Sequence, residues 1–264
     1  MECMSTMKSS VKRKAIGIVG GVGPYAGLDL NQKIYASTRV RREQDHLEVY
    51  LLSCPSLIED RTEYLLHPDT VENPGYAIFA VVKKLSLLGA EVVGIPCNTS
   101  HCPPILDIVE RGIAASALPI TFVHMIRETS RFVHANHPDI KRVGLLATVG
   151  TCRSGVYAKV FEESGIEVLV PPPDRQKRVH AAIYDASYGI KCHPNPITRQ
   201  AIAALSEVGT ELVKSGAEAV IMGCTEIPLA MRPVNLGVPK IDTTLVLARA
   251  LIEYAAPEAL APLP

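Results

Sequence analysis

Gly89-Ala90-Glu91-Val92-Val93-Gly94-Ile95-Pro96-Cys97-Asn98-Thr99 runs from a glycine turn through a short apolar segment to a cysteine and two small polar residues. Gly216-Ala217-Glu218-Ala219-Val220-Ile221-Met222-Gly223-Cys224-Thr225-Glu226 repeats that order. Cys97 and Cys224 stand 127 positions apart, as do Gly89 and Gly216, Gly17 and Gly144, and Val22-Gly23 and Val149-Gly150. A chain that repeats a strand opening, a glycine turn and a strand-end cysteine at one spacing is expected to fold as two similar lobes, with both thiols facing a shared cleft. Two thiols across a cleft point to two-sided proton transfer.

Working outward from these segments, short β-branched runs alternate with longer stretches of helical period, the pattern of parallel strands joined by crossover helices. Strands are predicted near 15–19, 48–53, 91–96 and 119–123, then 142–147, 167–170, 217–222 and 239–241. Helices are predicted at 25–39, 75–88 and 103–112, then 154–164, 179–188, 197–215 and 244–255. Pro24 and Pro74 suit first helical turns, and Gly165 and Gly216 suit left-handed C-terminal caps. The fold class is α/β, with a four-stranded parallel sheet flanked by helices in each lobe. The expected division is a tail over 1–14, a first lobe over 15–120 completed by 243–264, and a second lobe over 121–242. Pro171-Pro172-Pro173-Asp174 to Arg178 is the longest polar break and a candidate loop over the cleft.

At 264 residues and 47% hydrophobic content the chain can bury two compact cores without disulfides. Seven cysteines, an odd number without small-domain spacing, fit a reduced compartment, so a cytoplasmic location is expected. The 27 basic and 27 acidic residues leave no electrostatic footprint for nucleic acid. No run approaches the roughly 20 apolar residues of a membrane span.

In an open parallel sheet, ligands bind beyond the carboxyl ends of the strands, where both cysteines are placed. Asn98-Thr99-Ser100 and Thr225 follow them, and their side chains and the N–H groups of the next turn can hold a carboxylate. The same helix starts favour a thiolate.

Pro96-Cys97-Asn98-Thr99-Ser100-His101 and Gly223-Cys224-Thr225-Glu226-Ile227-Pro228 resemble the two thiol motifs of the aspartate/glutamate racemase family, in its aspartate racemase branch. The likeness runs from about Lys14 to Tyr254. Ile18-Val19-Gly20-Gly21-Val22-Gly23-Pro24 resembles the family's opening strand and turn, Asp60-Arg61-Thr62 its Asp-Arg-Thr loop, and Leu146-Ala147-Thr148-Val149-Gly150-Thr151 the start of its second lobe. Ile183-Tyr184 and Gly189-Ile190-Lys191 resemble the segment carrying its substrate lysine. The resemblance implies racemisation of aspartate or glutamate without pyridoxal phosphate, nicotinamide or metal, with Cys97 and Cys224 as acid and base. Val22, Gly23, Arg61, Asn98, Thr99, Ser100, Thr148, Lys191 and Thr225 are implied to bind substrate, Arg61 and Lys191 by gripping carboxylates. Glu226 is implied in support, and a homodimer is expected. The chain departs from the family's usual residues at Val22, Gly27, Ser100 and Leu247.

Other readings use some of the same residues. Gly21-Val22-Gly23-Pro24-Tyr25-Ala26 fits the loose dinucleotide pattern, but the second strand ends in Ser53-Cys54-Pro55 where a ribose-binding acid should stand. Cys97, His101 and Cys102 lie close in sequence, yet adjacent His101 and Cys102 are poorly spaced to converge on one zinc ion. Hydantoin racemases, maleate isomerases and decarboxylases share a paired-thiol cleft. A silent amino-acid binder would keep the cleft without needing both thiols.

Overall fold

The computed structural model describes residues 13–263. Most of the expected tail therefore lies outside the described residues. Its last two positions are anchored: Arg13 Nε lies 3.0 Å from Glu258 Oε1, and the Lys14 N–H donates to the Ala255 carbonyl at 3.1 Å.

The first lobe comprises β1 (Ile16–Gly20), α1 (Pro24–Ala36), β2 (Val49–Ser53), α2 (Arg61–Leu66), α3 (Pro74–Leu87), β3 (Val92–Gly94), α4 (Pro103–Ala115) and β4 (Thr121–Val123). Then α5 (Met125–Asn136) leads to β5 (Arg142–Leu146), α6 (Val149–Ser154), α7 (Val156–Glu162), β6 (Glu167–Leu169), α8 (Pro173–Tyr184) and α9 (Arg199–Lys214). The chain closes with β7 (Ala219–Met222), α10 (Ile227–Met231), β8 (Lys240–Asp242) and α11 (Thr243–Ala255). Two four-stranded parallel sheets result, ordered β2-β1-β3-β4 and β6-β5-β7-β8. Among the described residues, no helix is long and apolar enough to cross a membrane.

The repeat seen in sequence reappears as strand register. Ile16 pairs with Val92 and Val143 with Ala219, so the central pair of each sheet is aligned at the same offset that relates the cysteines. All residues of β1, β3 and β7 are buried, as expected of parallel strands covered on both faces. Prolines open α1, α3, α4 and α8 at their first turns, where no N–H is missed. Gly165 (φ 67°) and Gly216 (φ 100°) adopt the left-handed conformation expected of them. The last helix, α11, packs Leu247, Leu251 and Ile252 into the same core as Ile16, Ile18, Leu30 and Ile34 of the first lobe.

Two expectations need correction. Thr121–Val123 pairs with β3, so this strand belongs to the first sheet although the sequence-based division at 120/121 assigns it to the second lobe. Pro171 to Arg178 is not a loop: Pro173 opens α8, whose solvent-facing first turns mimic a polar break in the sequence. The long connection lies after it, over 185–198, and folds back on α8 through Ile190 N–H to Ala182 O and Lys191 N–H to Ile183 O, both 3.0 Å. The helix α5 carries no strong apolar run, and no helix was expected there.

Candidate active site

The two thiols emerge where the central strands stop. Ile95-Pro96 carries β3 to Cys97, which opens a 3-10 turn over Asn98–His101; Gly223 carries β7 to Cys224, with α10 just beyond. Both cysteines are 8% exposed and line one cavity between the lobes. The first lobe contributes Val22, Arg61, Asn98 and Thr99 to its wall. The second contributes Thr148, Tyr184, Lys191, Thr225 and Glu226.

The cavity is cationic on the Cys97 side. Asp60 caps α2 by accepting from the N–H groups of Thr62 and Glu63, and so brings Arg61 into the first turn of the helix. Arg61 is buried and donates from its two terminal nitrogens to Glu59 O at 3.1 Å and Val22 O at 2.6 Å, while Nε has no partner. Burial opposes its charge, but Cys97 and Asp60 favour it and the guanidinium pKa is raised. The Cys97 backbone is held by His101. The Met125 N–H donates to His101 Nε2 at 3.2 Å, so Nδ1 bears the proton and donates to Cys97 O at 2.9 Å. Burial pushes the His101 pKa down to about 4, keeping the ring neutral.

On the other side the partner is an anion. Cys224 Sγ donates to Glu226 Oε2 at 2.9 Å, and Thr225 Oγ1 donates to the same oxygen at 3.2 Å. Burial first, then the charge of Glu226, push the Cys224 thiol well above its ordinary pKa.

Between these flanks, four threonine hydroxyls bridge the lobes. Thr99 Oγ1 lies 2.8 Å from Thr151 Oγ1 and 3.4 Å from Thr148 Oγ1, and Thr62 Oγ1 donates to Thr148 Oγ1 at 3.2 Å. The glycine turns after β1 and β5 make the close approach possible. A Cβ at Gly23, where φ is 144°, would stand 2.6 Å from Glu226 Oε1, and one at Gly150 would stand 3.1 Å from Thr62 Oγ1. Each lobe's turn thus abuts the other lobe. Asn98 is oriented from behind: Tyr157 Oη donates to its Oδ1 at 2.5 Å, and its Nδ2 donates to Thr243 Oγ1 at 3.3 Å.

The mouth is closed by an ion pair. Lys191 Nζ lies 3.2 Å from Asp60 Oδ2 and 3.8 Å above the centroid of the Tyr184 ring, whose hydroxyl donates to the same carboxylate oxygen at 2.9 Å. Burial would raise the Asp60 pKa, but Lys191, Arg61 and the donors around it bring it down to about 2. Burial likewise opposes the Lys191 charge and is outweighed by Tyr184, Glu226 and Asp60, so its pKa is raised.

Of the residues expected from sequence, Cys97, Cys224, Val22, Arg61, Asn98, Thr99, Thr148, Lys191, Thr225 and Glu226 meet at this cavity. Two do not. Gly23 lines the adjoining pocket at the mouth rather than the thiol cavity. Ser100 is fully buried behind the turn with its hydroxyl unpartnered, because at three residues per turn the position after Asn98 and Thr99 falls on the side away from the cleft. Asp60, Tyr184, Thr151 and Tyr157 were not assigned roles from sequence. Asp60 had a detectable signal, a capping residue followed three positions later by Glu63; Tyr157 had none, since it acts from a helix 59 positions away from Asn98.

A family model described as Asp/Glu/Hydantoin racemase matches residues 19–251. The broad specificity amino-acid racemase RacX of Bacillus subtilis is 26% identical over 244 residues, covering 90% of this chain and 96% of the relative. Among solved structures, Picrophilus torridus aspartate racemase superposes with a TM-score of 0.74 at 27% identity, covering 92% of this chain and 94% of that one. An aspartate racemase homologue from Pyrococcus horikoshii gives 0.68 at 26% identity, with 92% and 99% covered.

Proposed function

The chain belongs to the Asp/Glu/Hydantoin racemase family and is an amino-acid racemase, an isomerase; from that premise we propose that it interconverts the L and D forms of an acidic amino acid, aspartate or glutamate, using Cys97 and Cys224 as its acid and base. One observation carries the reading. Two thiols from opposite lobes line a single cavity, one beside the Arg61 cation and the other donating to Glu226 at 2.9 Å.

In this mechanism the α-carbon lies between the sulfurs. Cys97, beside the Arg61 guanidinium, acts as the base and takes the α-proton from one face, while Cys224, kept protonated by burial and Glu226, gives its proton to the opposite face. The other enantiomer runs the same step backwards. The α-carbon is a weak acid, so negative charge developing on the α-carboxylate needs donors aimed in advance. Asn98, Thr99 and Thr148 supply them, held by Tyr157, Thr243 and Thr151. Arg61, with its free Nε, and Lys191 complete the recognition of carboxylates. No cofactor takes part in the scheme.

Proton NMR in D2O tests it. Separate incubations with L- and D-aspartate and L- and D-glutamate should each lose the α-proton signal as the opposite enantiomer appears. Retention of the α-proton in all four, with saturable binding, would make the protein a binder and defeat the proposal.

A further inference from the structure

Thr243 is fully buried and lies outside the wall of the thiol cavity, yet it ties the two thiol turns together. Its Oγ1 donates to the Met222 carbonyl at 3.0 Å, at the end of the strand that delivers Cys224. The same oxygen accepts from Asn98 Nδ2 at 3.3 Å, one residue beyond Cys97. These roles fit the donor count. Tyr157 Oη donates to Asn98 Oδ1, so the amide nitrogen faces Thr243, whose single proton serves the carbonyl.

Thr243 is itself held where the chain crosses from the second sheet back to the first lobe. Asp242 pairs with Met222 at the end of β8, and its Oδ1 caps α11 by accepting from the N–H groups of Thr244 and Leu245, both at 3.0 Å. Its Oδ2 lies 2.7 Å from Nζ of Lys33, on α1 of the first lobe. Asp29, one helical turn before Lys33, holds the same ammonium at 2.5 Å. Lys33 and Asp29 are largely buried, so salt screens the cluster little.

Resting on the racemase reading above, we propose that Thr243 and Lys33 are positioning residues, a brace that sets the separation of the two sulfurs across the α-carbon. Two-sided transfer depends on that separation more than one-sided transfer does. With the brace loosened, one sulfur still takes the α-proton, exchanges it for a solvent deuteron and returns the deuteron to the face it left. Inversion suffers because the far sulfur is displaced, and a misplacement of about 1 Å costs about a hundredfold.

The test follows the full chain in D2O with each enantiomer of aspartate and glutamate, reading α-proton exchange by NMR and inversion by chiral chromatography. In the unaltered protein the two should keep pace at early times. Thr243→Val keeps the side-chain shape and removes both hydrogen bonds; it should slow inversion about ten- to a hundredfold, with KM within about threefold and exchange retained better than inversion. Thr243→Ser keeps the hydroxyl and should keep the unaltered ratio of inversion to exchange. Lys33→Met combined with Asp29→Asn removes the clamp, leaves Thr243 in place and should lower the ratio by a smaller factor. A fold that is merely destabilised loses exchange and inversion together. A ratio unmoved in Thr243→Val or in the Lys33 double variant, or lowered as far by Thr243→Ser as by Thr243→Val, overturns the brace and leaves the racemase reading standing. Absence of exchange in the unaltered protein with all four substrates overturns both.

Discussion

The two thiol turns stand at equivalent strand ends, Cys97-Asn98-Thr99 against Cys224-Thr225-Glu226, but their surroundings carry opposite charge. The third residue makes much of the difference. Thr99 reaches across the cleft as a neutral hydroxyl, 2.8 Å from Thr151, whereas Glu226 turns a carboxylate back on its own lobe's thiol at 2.9 Å. Arg61 completes the contrast by bringing a buried guanidinium to the Cys97 side. A duplicated backbone therefore holds an unlike pair, one sulfur beside a guanidinium and the other donating to a carboxylate. The proposed inversion calls for unlike partners, because one group must take a proton while the other gives one.

The largest test of that contrast removes each sulfur in turn. Cys97→Ser and Cys224→Ser should each lose about 10²- to 10⁴-fold in racemisation, since a serine hydroxyl is too weak an acid to replace either role. Each variant should retain slow α-proton exchange for one enantiomer only, and the favoured enantiomer should differ between them. Near-normal racemisation in either variant breaks the two-thiol scheme.

Next comes the cation. Arg61→Met deletes a charge-assisted contact of about 1.5 to 3 kcal/mol, roughly ten- to a hundredfold in kcat/KM. Steady-state kinetics with both enantiomers of glutamate measures it; unchanged values would remove Arg61 from the contrast.

Asp60 joins the flanks across the lobes, and its role is readable as stability. Its folded pKa of about 2 is depressed from 3.8, so its contribution of about 2 kcal/mol is present above pH about 4 and fades as pH falls through about 2. Asp60→Asn, which keeps the helix cap, should unfold at lower urea concentration at neutral pH, and its deficit should close in that acid window. A deficit constant across pH would place the effect in packing instead of charge.

The smallest effect sharpens the anionic side. The Glu226 charge raises the Cys224 pKa, so Glu226→Gln should lower it. In a Cys97→Ser background, alkylation of Cys224 by iodoacetamide should then reach half-maximal rate at a lower pH. An upward movement would reverse the sign assigned to Glu226.

Most of the architecture was legible because it depends on local chemistry. Buried parallel strands read as short apolar runs, prolines and glycines mark helix ends, and the spacing from Cys97 to Cys224 survives as the shared register of Ile16 with Val92 and Val143 with Ala219. The errors fall where local signals are ambiguous. Three prolines before α8 resemble a loop as much as a helix start, and Ser100 resembles its hydroxylated neighbours until the turn points it inward.

Resemblance to the racemase family's motifs pointed to the ten expected residues that line the cavity; the residue pattern by itself determined two α/β lobes and the strand-end placement of both thiols. It did so because backbone periodicity and turn chemistry act over a few residues. Only the tertiary structure decided that one thiol faces a cation and the other an anion, that Lys191 is paired with Asp60 131 positions away, and that Tyr157 orients Asn98. Those pairings depend on distances through space between separate segments, and electrostatic preference changes steeply with separation and burial.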